Sequence, residues 1–97
     1  RIALPDTIAD GIRTVEPGEL TFRIMLEHAK GIALVTDEDV KAATRFLFER
    51  TKQVVEPTGA VSVAALLSKK IPIRGRKAVA VLSGGNVDPD VYARLIA

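Results

Sequence analysis

Ala78-Val79-Ala80-Val81-Leu82-Ser83-Gly84-Gly85-Asn86 joins an unbroken apolar run to a hydroxyl, two glycines and a carboxamide. A short apolar run stopped by glycines is the pattern of a strand covered on both faces. Ile32-Ala33-Leu34-Val35 repeats it, so strands of one sheet are predicted at 32–35 and 78–82. Helical patterns fill the interval between them. Parallel neighbours need crossovers of that length, which predicts an α/β fold with a largely parallel sheet. In such sheets ligands sit beyond the carboxyl ends of strands, the place of residues 83–86. Paired glycines let a backbone approach a flat ligand, and the Ser83 hydroxyl can donate or accept at a ring nitrogen. A tight turn that binds nothing is the competing reading of the same residues.

Working outward, Leu20, Phe22, Ile24, Met25, Leu26 and Ala29 predict a helix over 19–29, buried on more than one side and stopped by Gly31. Thr36, Asp37, Glu38 and Asp39 form a capping-box-like start, with carboxylates favoured at the positive helix end. Val40, Ala43, Leu47, Thr51 and Val54 then recur at helical spacing while Lys41, Arg45, Glu49 and Lys52 take other faces, predicting a helix over 37–55 that Glu56 ends ahead of Pro57. Thr58 and Gly59 can start a further helix over 60–67, so apolar all round that deep burial is expected. Asp88 and Pro89 suit the cap and first position of a last helix through Ile96. Residues 1–18, with Pro5, Asp10, Gly11, Pro17 and Gly18, carry loop chemistry and are expected to cover another part of the protein.

Composition removes several function classes. The chain has 97 residues, no cysteine and one histidine, His28, which argues against a disulfide framework and against a thiolate or imidazole metal site. Its 14 basic and 12 acidic side chains are interspersed, so no one-sided field for nucleic acid arises. Lys69, Lys70, Arg74, Arg76 and Lys77 cluster around Pro72 and Gly75, but no aromatic residue interleaves them to stack a base, and a solvated loop is predicted. No apolar run approaches the roughly 20 residues that span a bilayer. The chain begins at Arg1 without a basic-then-apolar leader, and it is expected to be a cytoplasmic portion of something longer.

Four motifs occur in order: TIADG at 7–11, PGELTF at 17–22, ERTKQVVEPTGA at 49–60 and VLSGGNVD at 81–88. Together they resemble the threonine dehydratase and serine racemase family over nearly the whole chain, EPTGA followed by VLSGGN being the most specific pair. The resemblance implies that residues 1–97 are the C-terminal portion of the catalytic domain of a fold-type-II pyridoxal-phosphate enzyme. It implies that Ser83 bonds the pyridine nitrogen, that Gly84 and Gly85 border the ring, and that Glu56 and Gly11 lie near the cofactor. A helix-terminal surface carboxylate and an ordinary turn glycine are the plain readings of Glu56 and Gly11. Asn86 and Lys52 match positions that contact a nucleotide effector at a subunit boundary in some relatives; a turn asparagine and a solvated helix lysine compete. No catalytic residue is assigned, because the lysine that holds the cofactor, the phosphate loop and the substrate-carboxylate loop belong upstream.

The activity implied is elimination from threonine to give 2-oxobutyrate and ammonia, with an amino-acid substrate, the remainder of the catalytic domain and further copies of the same chain as partners. A neutral hydroxyl holds a proton on the pyridine nitrogen less firmly than a carboxylate, so the ring is a weaker electron sink and loss of a β-hydroxyl is favoured over transamination. This chain alone is expected to be inactive. Serine racemase or serine dehydratase is the rival. A non-catalytic regulatory or interaction module, using the face of Lys41, Arg45 and Lys52, is the alternative of a different class.

Overall fold

The computed structural model describes all 97 residues. Four helices are present: α1 (Glu19–His28), α2 (Asp37–Thr51), α3 (Pro57–Leu67) and α4 (Pro89–Ile96), preceded by a 3-10 turn at Asp10–Ile12. α2 starts where the carboxylate-rich motif predicts. The Thr36 hydroxyl accepts from the Asp39 amide at 3.1 Å, and the Asp39 carboxylate accepts from the Thr36 amide at 2.9 Å. Two orphan amides of the first turn are thereby satisfied. Val40, Ala43, Thr44 and Leu47 form its buried stripe at intervals of three and four residues. The buried Thr44 hydroxyl donates to the Val40 carbonyl at 2.9 Å, so it enters the core without an unsatisfied group.

α2 stops at Thr51, short of the expected end at 55. Lys52 adopts the left-handed conformation with φ 59°, and its amide closes the last turn on the Phe48 carbonyl. That backbone reversal frees Val55 to fold back into the core and lets Pro57 open α3 as its first residue, three residues before the expected start at 60. Ala60 and Ala64 are fully buried, small enough to bring α3 close against α2. The core is Val40, Ala43, Leu47, Val55, Ala60 and Ala64, flanked by Ile8, Val35, Val61 and Val63. Its larger members each contribute roughly 1.5–3 kcal/mol by leaving water. α4 packs on α2 through Tyr92, whose ring meets Phe48 edge to face at 6.0 Å between centroids. The Tyr92 hydroxyl is buried without a hydrogen-bond partner, and burial pushes its pKa up.

The sheet is where expectation and structure part. Residues 32–35 and 78–82 are neither helix nor strand, and their amides and carbonyls make no backbone-to-backbone hydrogen bond. The parallel-sheet prediction is thus not met within this chain. A helix satisfies its own amides, whereas a strand exists only beside another strand. The expected burial of 19–29 fails for a related reason. α1 forms but packs on no other element and buries none of its residues, and it ends at His28 with an extended Ala29 after it, before Gly31 is reached. α3 is buried against α2 and partly covered by the 3-10 turn and the segment at 81–84, but not all round, with Leu67 43% exposed.

The molecule is a flat body of 38 × 37 × 19 Å with 12 of 97 residues buried. Its accessible surface is 7700 Å², against about 5400 Å² for a self-contained protein of 10.4 kDa. The surplus is apolar: Ile32, Leu34 and Val79 are 88%, 82% and 94% exposed. No helix is long and apolar enough to cross a membrane.

Candidate functional site

The connection from α2 to α3 and the irregular glycine segment after residue 82, which forms no regular turn, lie directly against each other. The Glu56 amide donates to the Gly84 carbonyl at 3.1 Å. A β-carbon on Gly84 would lie 2.5 Å from Glu56 Oε1, and one on Gly59 would lie 2.7 Å from the Gly84 carbonyl oxygen. On Gly85 it would collide with the Val54 carbonyl oxygen. Gly59 and Gly85 are therefore required by the approach of backbone to backbone, whereas at Gly84 the neighbour is the movable end of the Glu56 side chain. The space that the sequence reserves for a flat ligand at Gly84 and Gly85 is, on this side, taken by Glu56 and Val54. Ser62, one turn into α3, secures the preceding segment by donating to the Val81 carbonyl at 2.8 Å.

Two clefts flank this contact. One, of about 250 Å³, is lined by Ile8, Asp10, Glu56, Pro57, Asn86, Val87, Asp88 and Val91. The other, of about 290 Å³, is lined by Gln53, Val54, Val55, Leu82 and Gly84. Glu56 faces the first and Gly84 the second, so the hydrogen bond between them forms the partition. Ser83 lines neither. It is exposed, and its hydroxyl has no hydrogen bond within the chain. No lysine lines either cleft.

The TIADG segment is held at the rim of the first cleft from two sides. Asp37, the first residue of α2, accepts from the Thr7 hydroxyl and, at 3.3 Å, from the Ile8 amide. Thr58, the second residue of α3, accepts from the Gly11 amide at 2.8 Å. Gly11, Glu56, Gly84, Gly85 and Asn86 thus lie in one region of the chain. Lys52 does not join them, since its ammonium donates to the Glu49 carbonyl at 2.9 Å and it borders neither cleft. The three carboxylates Asp10, Glu56 and Asp88 around Asn86 create a field that repels phosphate, so the effector reading of Asn86 and Lys52 draws no support from this geometry. Asp37 and Thr58 have no site role in the sequence reading, which sees only helix starts; a hydroxyl or carboxylate in a first turn gives no sign of which distant amide it receives.

The residues present suit one edge of a pyridine ring: an uncommitted hydroxyl on a segment whose backbone is braced by Glu56 and Val54. They do not suit its aldehyde or phosphate ends, which need an amine and an anion cradle. Comparison with known proteins points to the same cofactor. The family model of pyridoxal-phosphate dependent enzymes matches residues 1–84. The L-threo-3-hydroxyaspartate ammonia-lyase of Saccharomyces cerevisiae is 46% identical over 96 residues, covering 99% of this chain and 29% of that protein. Among solved structures, the T.th. threonine deaminase superposes with a TM-score of 0.74 at 48% identity, over 89% of this chain and 31% of that one. The serine racemase of Dictyostelium discoideum gives 0.78 at 41% identity, over 87% and 28%. The chain spans about a third or less of the length of these relatives. The match over residues 1–84 and the shared fold make this chain a member of the pyridoxal-phosphate-dependent enzyme family, among relatives that include ammonia-lyases and serine racemases.

Proposed function

We propose that the complete protein carrying this chain is a cytoplasmic, homo-oligomeric threonine ammonia-lyase that releases 2-oxobutyrate and ammonia, and that residues 1–97 form one wall of its cofactor site. Bound pyridoxal phosphate supplies the electron sink that acidifies the substrate Cα–H. Ser83 holds the pyridine nitrogen, Gly84 and Gly85 border the ring, and Glu56 and Gly11 close the site beside it. The remainder of the domain brings the lysine and the phosphate cradle, and its strands pair with 32–35 and 78–82 to complete a parallel sheet.

The observation that carries this reading is the Ser83 hydroxyl, exposed and uncommitted on a segment that the chain itself braces. A neutral partner at the ring nitrogen suits departure of a β-hydroxyl, the step that threonine, serine and 3-hydroxyaspartate share. Among these substrates, likeness to a threonine deaminase at 48% identity supports threonine.

The complete protein, saturated with cofactor, should turn over threonine to 2-oxobutyrate with a higher kcat/KM than serine or threo-3-hydroxyaspartate. Ser83→Ala should lower kcat on the order of tenfold, the worth of one oriented hydrogen bond. Ser83→Asp should instead raise pyridoxamine phosphate formation relative to elimination. Accumulation of D-serine as main product would replace the lyase assignment by a racemase. Wild-type kinetics in both variants would remove Ser83 from the cofactor.

A further inference from the structure

We propose that Thr58 is a positioning residue that latches the 7–11 loop to the start of α3 and so sets the gap between Gly11 and the cofactor wall. This rests on the reading of Glu56 and the glycine segment as that wall. The first half of the loop is packed, with Ala9 buried and Ile8 against the core, but its 3-10 turn at 10–12 buries no residue. The position of Gly11 therefore leans on the bond that holds its amide.

The Asp37 carboxylate grips Thr7 and Ile8, while the Thr58 hydroxyl grips the Gly11 amide at 2.8 Å. The second bond has a steric condition. A β-carbon on Gly11 would lie 2.9 Å from Thr58 Oγ1 and 3.0 Å from its Cγ2, so the amide comes this near only because residue 11 is glycine. From Thr58 the connection is short and stiff. Pro57 and Gly59 beside it are buried, and Glu56, two residues back, is bonded through its amide to Gly84. A continuous path thus runs from Gly11 through Thr58 and Glu56 to the glycine segment. Asp10 and Glu56 line the same cleft, so the length of this path governs how wide that cleft is held. A side chain at 58 with the shape of threonine but no acceptor would keep α3 intact and release only the loop.

The test uses the complete protein as wild type, Thr58→Val and Thr58→Ser. Amide exchange across 8–12 is followed in the cofactor-free form, and loss of pyridoxal phosphate from the loaded form is followed by absorbance during dialysis. Thr58→Val should exchange about fivefold faster in this segment, the worth of one ordinary hydrogen bond, with α2 and α3 unchanged, and should lose cofactor faster. Thr58→Ser should restore both. Should the valine variant not fold, Gly11→Ala takes its place, because its β-carbon displaces the same hydroxyl. Unchanged exchange at 8–12, faster exchange spread through α3, or a released loop with wild-type cofactor retention would each overturn the proposal. The exchange measurement needs neither substrate nor turnover. An error in the choice of substrate therefore leaves it standing, and an absent latch shows itself even when the lyase reading holds.

Discussion

Lys52 shows how a single backbone angle shapes the site. At φ 59° it ends α2, sends Val54 and Val55 back along the helix, and so brings the Val54 carbonyl against Gly85. A side chain in this conformation costs about 1–2 kcal/mol that glycine does not incur. Lys52→Gly loses the bond to the Glu49 carbonyl and gains unfolded-state freedom, yet relief of strain should dominate. We expect the complete protein to be more stable by about 0.5 kcal/mol, read as a higher denaturant midpoint at constant slope. A lower midpoint would mean that the ammonium contributes more than the strain costs. Motif resemblance points to Lys52 as an effector contact, but the residue already has a complete structural role.

At the scale of elements, the cap of α2 was legible because all its parts are adjacent in sequence. Thr36 and Asp39 exchange bonds across three residues, and the Thr36 amide, followed by its hydroxyl, holds the Asp39 carboxyl below its ordinary value of 3.8. A carboxyl lowered in the folded state stabilises the fold above the unfolded value, and that contribution disappears as pH falls through the folded one. Thr36→Ala should cost about 1 kcal/mol near neutrality. The Thr36 amide, which lowers the carboxyl most, is kept in both proteins, so only the hydroxyl's share of the difference should shrink on acid titration, as Asp39 takes up its proton below the ordinary 3.8. A constant difference across that titration would separate the hydroxyl from the carboxylate. The two apolar runs were equally visible in sequence and equally consistent with strands, but a strand needs a neighbour that no local pattern supplies.

For the whole molecule, the excess surface has a direct consequence. The isolated 97-residue chain should deaminate no threonine when mixed with pyridoxal phosphate, should form no stable cofactor adduct, and should bind an apolar dye through α1 and residues 32–35 and 78–82. Turnover by the purified chain would show that the amine chemistry resides in it after all. Short-range signals in the sequence were enough for the helix starts at Asp37 and Pro89 and for the motifs that mark the family. Those follow from caps, prolines and glycines acting over a few residues. Only the folded chain shows that Gly59 and Gly85 are required by the backbone of Gly84 and Val54, and that Thr58 receives the amide of Gly11 from 47 residues away. It alone left the apolar runs unpaired. Such contacts join distant positions at fixed distances, and neither periodicity nor composition encodes a distance.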